Sequence, residues 1–185
     1  RGSWVLSGFA SAAALPAAAE IDAVTGHKLP LPKFVRTVLK KSAEPAGAVA
    51  GVLGGPLAGY TAVLLSNTSN PVWNDMKKHL PYVFVSSAGA ASSGLAMVTT
   101  PVEHAGPARV LGMAAAASDL AATKVLEEGM EPEPREALHE GKPGTLMKAS
   151  EYLIAAGGVG SMLAAVTKSR AVSVAAGLSL LAGSA

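Results

Sequence analysis

The stretch PAGAVAGVLGGPLAGYTAVLLSNTSNPVWN, residues 45–74, runs for 30 positions without an acidic or basic side chain. A hydrocarbon layer about 30 Å thick is crossed by roughly 20 apolar residues in a helix, so this run is long enough to span a bilayer. Within it Gly47, Gly51 and Gly55 recur at helical spacing. Small residues at that spacing let two helix backbones approach closely where lipid supplies no hydrophobic drive for association.

The same reading extends outward in both directions. Residues 2–19 carry no charge, and neither do residues 79–102 with His79 counted neutral. Residues 110–126 form a fourth segment, interrupted by Asp119 and Lys124; residues 152–167 form a short uncharged fifth, and residues 171–185 a sixth. Soluble helices carry a charged face every turn or so, and these runs do not. The expected fold is all-α: a polytopic membrane helical bundle of about six spanning helices, one integral-membrane domain over 1–185 with loops at 20–44 and 127–149. Gly89 with Ser93, and Gly157-Gly-Val-Gly, read as further packing sites. Arg1-Gly-Ser-Trp has none of the features of a secretory leader, and residues 178–185 stop within apolar sequence, so both ends read as cuts in a longer chain.

Composition supports this reading. Half of the residues are apolar and 15% are charged, against about 25% in an average soluble domain, and mean hydropathy is +0.37. With no cysteine, the chain cannot hold an iron–sulfur cluster on thiolates, form a disulfide or use a thiol nucleophile. A net charge of +2 with 4% aromatics gives no footprint for nucleic acid. His27, His79, His104 and His139 stand far apart, so no metal set is expected, and no phosphate loop or nucleophile elbow occurs.

If every run spans, the loop at 20–44 lies on the same side as residues 101–109 and 168–170. That side then holds eight Lys/Arg against six on the other. The positive-inside rule puts it in the cytoplasm and the Glu-rich loop at 127–149 outside. Residues 35–41, basic and partly apolar, suit a short interfacial helix.

Polar groups at membrane depth are costly and mark candidate sites. Asp119, midway along the fourth segment, is the clearest: a carboxyl there can take and release protons. His104, beside Glu103 just after Thr99-Thr100-Pro101, sits where a near-neutral titrating group suits proton exchange between a buried site and water. Glu20 and Asp22 close the first run and read as interface anchors. Tyr60 and Thr61 lie deep enough to offer hydroxyls to a ligand. Asn67, Asn70, Trp73, Asn74 and Asp75 gather at the membrane boundary, where Pro71 would break the helix and turn backbone groups toward a cavity.

Several of these words form a recognisable set. GYTAVLLSNTSNPVWND (59–75) followed by LPYVFVSSA (80–88) resembles the NrfD/PsrC family, the membrane subunits of polysulfide reductase and related complexes. Gly2-Ser-Trp-Val-Leu, Gly94-Leu-Ala-Met with Thr99-Thr100-Pro101, and Leu138-His-Glu-Gly-Lys-Pro-Gly resemble its shorter actinobacterial members. The resemblance implies the later part of a longer chain, lacking the earlier helices of the family. It implies a multi-pass subunit in the cell membrane, among lipid, that exchanges electrons between a quinone pool, menaquinone foremost, and an iron–sulfur subunit. A molybdopterin-containing catalytic subunit is the further partner implied. Tyr60, Thr61, Asn67 and Trp73 fall on the matching motif as quinone-binding residues, with Asp119 and His104 handling protons. Two rival classes remain: an ion- or proton-translocating transporter coupled through Asp119, and a structural membrane anchor with no ligand.

Overall fold

A computed structural model describes residues 2–26, 31–67, 76–129 and 141–185. Among them are six α-helices: α1 (Gly2–Val24), α2 (Lys33–Ser66), α3 (Leu80–Thr99), α4 (Gly106–Glu128), α5 (Gly141–Thr167) and α6 (Arg170–Gly183), with a 3-10 turn at Met76–Lys78. No strand occurs among the described residues. Four helices are long and apolar enough to cross a membrane: α1, α2, α3 and, within α5, Gly144–Thr167. The remaining two are α4, 23 residues long and bearing charge, and α6, with 14 residues.

The chain divides into two compact units, 1–60 and 61–185. In the first, α1 and α2 form an antiparallel hairpin. Gly8 packs on Leu53, Gly54 faces Phe9, and Gly2 lies directly under the Tyr60 ring. At the closed end the buried Asp22 carboxylate accepts from Arg36 Nη2 at 3.1 Å and pairs with Nε at 2.8 Å. Asp22 is therefore the counter-charge that fixes the hairpin register, a closer role than the interface anchor expected of it.

The second unit is an up-and-down bundle. Contacts run around a ring in which α3 touches α4 and α6, and α5 touches the same two helices. Each neighbouring pair is antiparallel and meets at small residues: Gly89 on Ala115, Gly158 on Ala116, Gly160 on Ala176, and Gly94 against Gly177. The Gly157-Gly-Val-Gly stretch thus packs helices, as its composition suggested. Gly47, Gly51 and Gly55 differ: a Cβ at any of them meets nothing within 4 Å. The close approaches of α2 are made by other positions of that helix.

Burial is inverted relative to a water-soluble protein. The interior is mostly alanine with glycine and serine, around Met97, Ile154 and Leu180, while Trp4, Phe34, Val52, Tyr152 and Val166 point outward. Large apolar side chains belong inside when water is the solvent. Small interiors with large apolar exteriors are what packing in lipid produces.

Helix also reaches into both expected loops. Residues 20–24 finish α1, residues 33–44 open α2 and residues 141–149 open α5. From Lys33 to Glu44 no Gly or Pro intervenes, and Lys, Arg, Leu and Ala are good helix formers, so the basic segment continues directly into the span. The interfacial helix foreseen at 35–41 is accordingly the first turns of α2. In α5, Pro143 falls in the first turn, where the missing N–H costs nothing. Pro16, Pro45 and Pro56 lie inside helices, as membrane helices tolerate.

Candidate functional site

The pairing of α3 with α4 builds the site. Along α3, Ser86, Gly89 and Ser93 occur at i, i+3 and i+7; along α4, Gly112, Ala115 and Asp119 do the same in the opposite direction. Antiparallel alignment puts Ser86 on Asp119, Gly89 on Ala115 and Ser93 beside Gly112. At this seam backbones come close because no side chain exceeds a few atoms. The bulkier flanks, Tyr82 and Val85 on α3 with Leu111 and Val125 on α4, then stand apart and leave a groove between them. Its volume is about 920 Å³, and its walls are apolar apart from His79, Tyr82, Ser86 and Ser118.

Asp119 is 8% exposed, and Ser86 Oγ donates to its Oδ1 at 2.9 Å. The same hydroxyl lies 2.9 Å from the Tyr82 carbonyl and 3.0 Å from that of Val83. A serine has one proton and two acceptor lone pairs. Ser86 can donate to ionised Asp119, or it can accept from protonated Asp119 and turn its own proton onto the backbone. Both states of the carboxyl are satisfied without moving a helix. This is the chemical capacity of the site: a buried group able to gain or lose a proton, next to an apolar cleft of ligand size.

His104 lies at the other end of the bundle, exposed in the turn between α3 and α4, its N–H donating to the Pro101 carbonyl at 3.0 Å. Asp119 is 13 residues into α4 from Gly106, about 20 Å at 1.5 Å per residue. The two are not brought together. Tyr60, 41% exposed, covers Gly2 in the hairpin unit. Thr61 follows on α2 with an exposed side chain, and Asn67 caps that helix by donating to the Val63 carbonyl at 3.1 Å. Trp73 lies outside the described residues, as do Asn70, Pro71, Asn74 and Asp75.

Three features were not foreseen. His79, at the N-terminal end of α3, lines the groove and sits against Gly129, where a Cβ would fall 3.3 Å from its Nε2. The spacing of His79, Tyr82 and Ser86, at i, i+3 and i+7, was the available signal. At the opposite end, the Arg170 guanidinium donates to the carbonyls of Met97, Val98 and Thr100, closing the C-terminus of α3. Buried Arg109 donates to the Val102 carbonyl at 2.7 Å. Helix C-terminal carbonyls lack partners of their own and favour cations, so these arginines seal one end of the bundle.

Among the described residues no group of three or more His, Asp or Glu is placed to hold a metal ion. No family model, characterised protein or solved structure matches this chain, so the functional reading rests on its own residues and geometry.

Proposed function

We propose that this chain is the quinone-interacting membrane subunit of a multi-subunit oxidoreductase, a member of the NrfD/PsrC family, lying in the cell membrane as a multi-pass protein. The observation that carries the reading is the groove between α3 and α4, with Ser86 in its wall and the buried Asp119 carboxyl bonded to that hydroxyl. A volume of about 920 Å³ is at the upper end of small-molecule sites. It accepts a quinone ring and the start of an isoprenoid tail. Val85, Leu111 and Ala114 supply apolar walls for the ring, and Ser86 supplies a hydrogen bond for a headgroup oxygen.

Oxidation of a quinol releases two electrons and two protons. The electrons pass to an iron–sulfur partner subunit, since this chain has no cysteine to ligate a cluster. A molybdopterin-containing subunit is their onward destination. Asp119 takes the two protons in turn, giving the first up to water before it accepts the second, with Ser86 reorienting as the charge changes, which is the positioned acid–base group such chemistry requires. Four helices able to cross a membrane give a lipid-soluble substrate access from the side. The motif at 59–75 supports the family, and through it Tyr60, Thr61, Asn67 and Trp73 become ligand residues to be weighed beside the groove.

A photoreactive azidoquinone tests the site. Saturable labelling of peptides from 79–125, competed by menaquinone, is the expected result. Labelling confined to 59–75 would move the ligand to the motif residues, and no saturable labelling would overturn the reading.

A further inference from the structure

We propose that His79, Tyr82 and Ser86 form a proton path along α3 that connects Asp119 with water at the end of the bundle. All three side chains line one groove, and their i, i+3, i+7 spacing puts them on a single stripe of the helix. Neighbours at that spacing have Cβ atoms about 5–6 Å apart, and water in the groove would carry the proton across the gaps between their polar ends. The stripe rises about 10 Å from Ser86 to His79 at 1.5 Å per residue. Ser86 is buried, His79 is half-buried at the helix start and Tyr82 is largely exposed, so the stripe leads from the buried carboxyl to the surface.

The transfer balances without a net change in the relay groups. The Asp119 proton passes to Ser86 Oγ as the Ser86 proton leaves toward Tyr82. Tyr82 accepts one proton and passes its own to the His79 imidazole, which releases it to water. Asp119 loses one proton and solvent gains one.

Competing groups are few. The groove lining includes no Lys, Arg, Asp or Glu. Among the described residues at this end of the bundle, the ionisable ones on the elements packed around it are Lys77 and Lys78 on the 3-10 turn, Lys124, Glu127 and Glu128 on α4, and Lys142, Lys148, Glu151 and Tyr152 on α5. α6 carries none near it, since Arg170 is engaged at the opposite end. His79 and Tyr82 are the titratable groups that share the groove with Ser86.

The path rests on the quinol reading only for the source of the proton, so two readouts are combined on the intact complex in liposomes. The first is steady-state quinol oxidation. His79→Ala is expected to slow it roughly tenfold, short of the ~10²–10⁴ of direct acid–base loss because water still enters the groove, with recovery on adding imidazole. Tyr82→Phe is expected to slow it less. The second is infrared detection of hydrogen–deuterium exchange at the Asp119 carboxyl, identified by its loss in Asp119→Asn, which is expected to slow in His79→Ala to the same extent. Exchange at an unchanged rate, or equal slowing by His104→Gln with none by His79→Ala, overturns the path. A complex that oxidises no quinol in any form overturns the functional reading alone, and the carboxyl exchange then decides the path by itself.

Discussion

Replacing Gly177 by alanine probes the closest approach in the bundle. A Cβ there would lie 2.6 Å from the Gly94 carbonyl oxygen, 3.0 Å from Val98 Cγ2 and 3.2 Å from Met97 Cβ. The first contact is backbone, which cannot rotate away, so α3 and α6 must separate. Separation also stretches the bonds from Arg170 to the last carbonyls of α3 and from Ser87 to the Ser184 carbonyl. Overpacking of this kind costs about 1–3 kcal/mol, and the upper half applies where backbone is struck. Alanine returns about 1 kcal/mol in helix propensity, leaving a net loss of about 1–2 kcal/mol. For a chain of this length that lowers the midpoint by about 2–8 °C. Gly51→Ala is the matched control: its Cβ meets nothing within 4 Å, so only the propensity gain remains. Thermal unfolding followed by circular dichroism in detergent reads both. A Gly177→Ala protein as stable as the unmodified one, with Gly51→Ala destabilised, would refute the packing argument.

Perturbations at four further residues follow from the same geometry. Ser86→Ala removes the hydroxyl that donates to buried Asp119 and is expected to cost about 1–3 kcal/mol; Asp119→Asn keeps an acceptor for Ser86, so it should assemble normally while quinol turnover falls, which blue-native gels and quinol oxidation separate. Arg170→Ala frees three carbonyls at the end of α3 and is expected to lose about 1.5–3 kcal/mol in detergent unfolding. Arg170→Lys recovers only part of that, because an ammonium lacks the planar fork. Asp22→Ala leaves Arg36 without its bidentate carboxylate and should loosen the hairpin by about 1–3 kcal/mol, while the Asp22→Ala/Arg36→Ala double variant recovers part of the loss, as a double-mutant cycle would show.

Charge-free runs carried most of the fold. Residues 2–19, 45–66 and 80–99 became helices because an uncharged stretch of that length has one stable form in lipid, where every backbone group needs an internal partner. Helix starts were less legible. Lys33 and Gly141 open helices where charge, proline and glycine suggested loops, since polarity marks exposure more reliably than it marks the absence of helix. Pairing was the least legible. Gly47, Gly51 and Gly55 form the most regular small-residue stripe in the sequence, yet the close contacts belong to Gly94 with Gly177 and Gly158 with Ala116. A stripe states that a helix can be approached; its partner is decided by segments far away in sequence.

The site shows the same division. Asp119 was visible as a carboxyl that needs a partner at membrane depth. Its partner was not, because Ser86, Ser87, Ser92 and Ser93 are interchangeable until α3 and α4 are set in register. His79 read as one of four scattered histidines until the groove joined it to Tyr82 and Ser86. His104 was favoured for lying next to a helix end, but the bundle puts it at the end remote from Asp119's partner.

What surrounds and enters the bundle is read by a mass-spectrometric inventory of the detergent-purified native assembly. Polypeptides and lipid-extractable quinone are identified in the same preparation. A cysteine-rich iron–sulfur protein together with bound quinone is the expected finding; an intact, monodisperse assembly containing neither would rule out a quinone-interacting redox subunit.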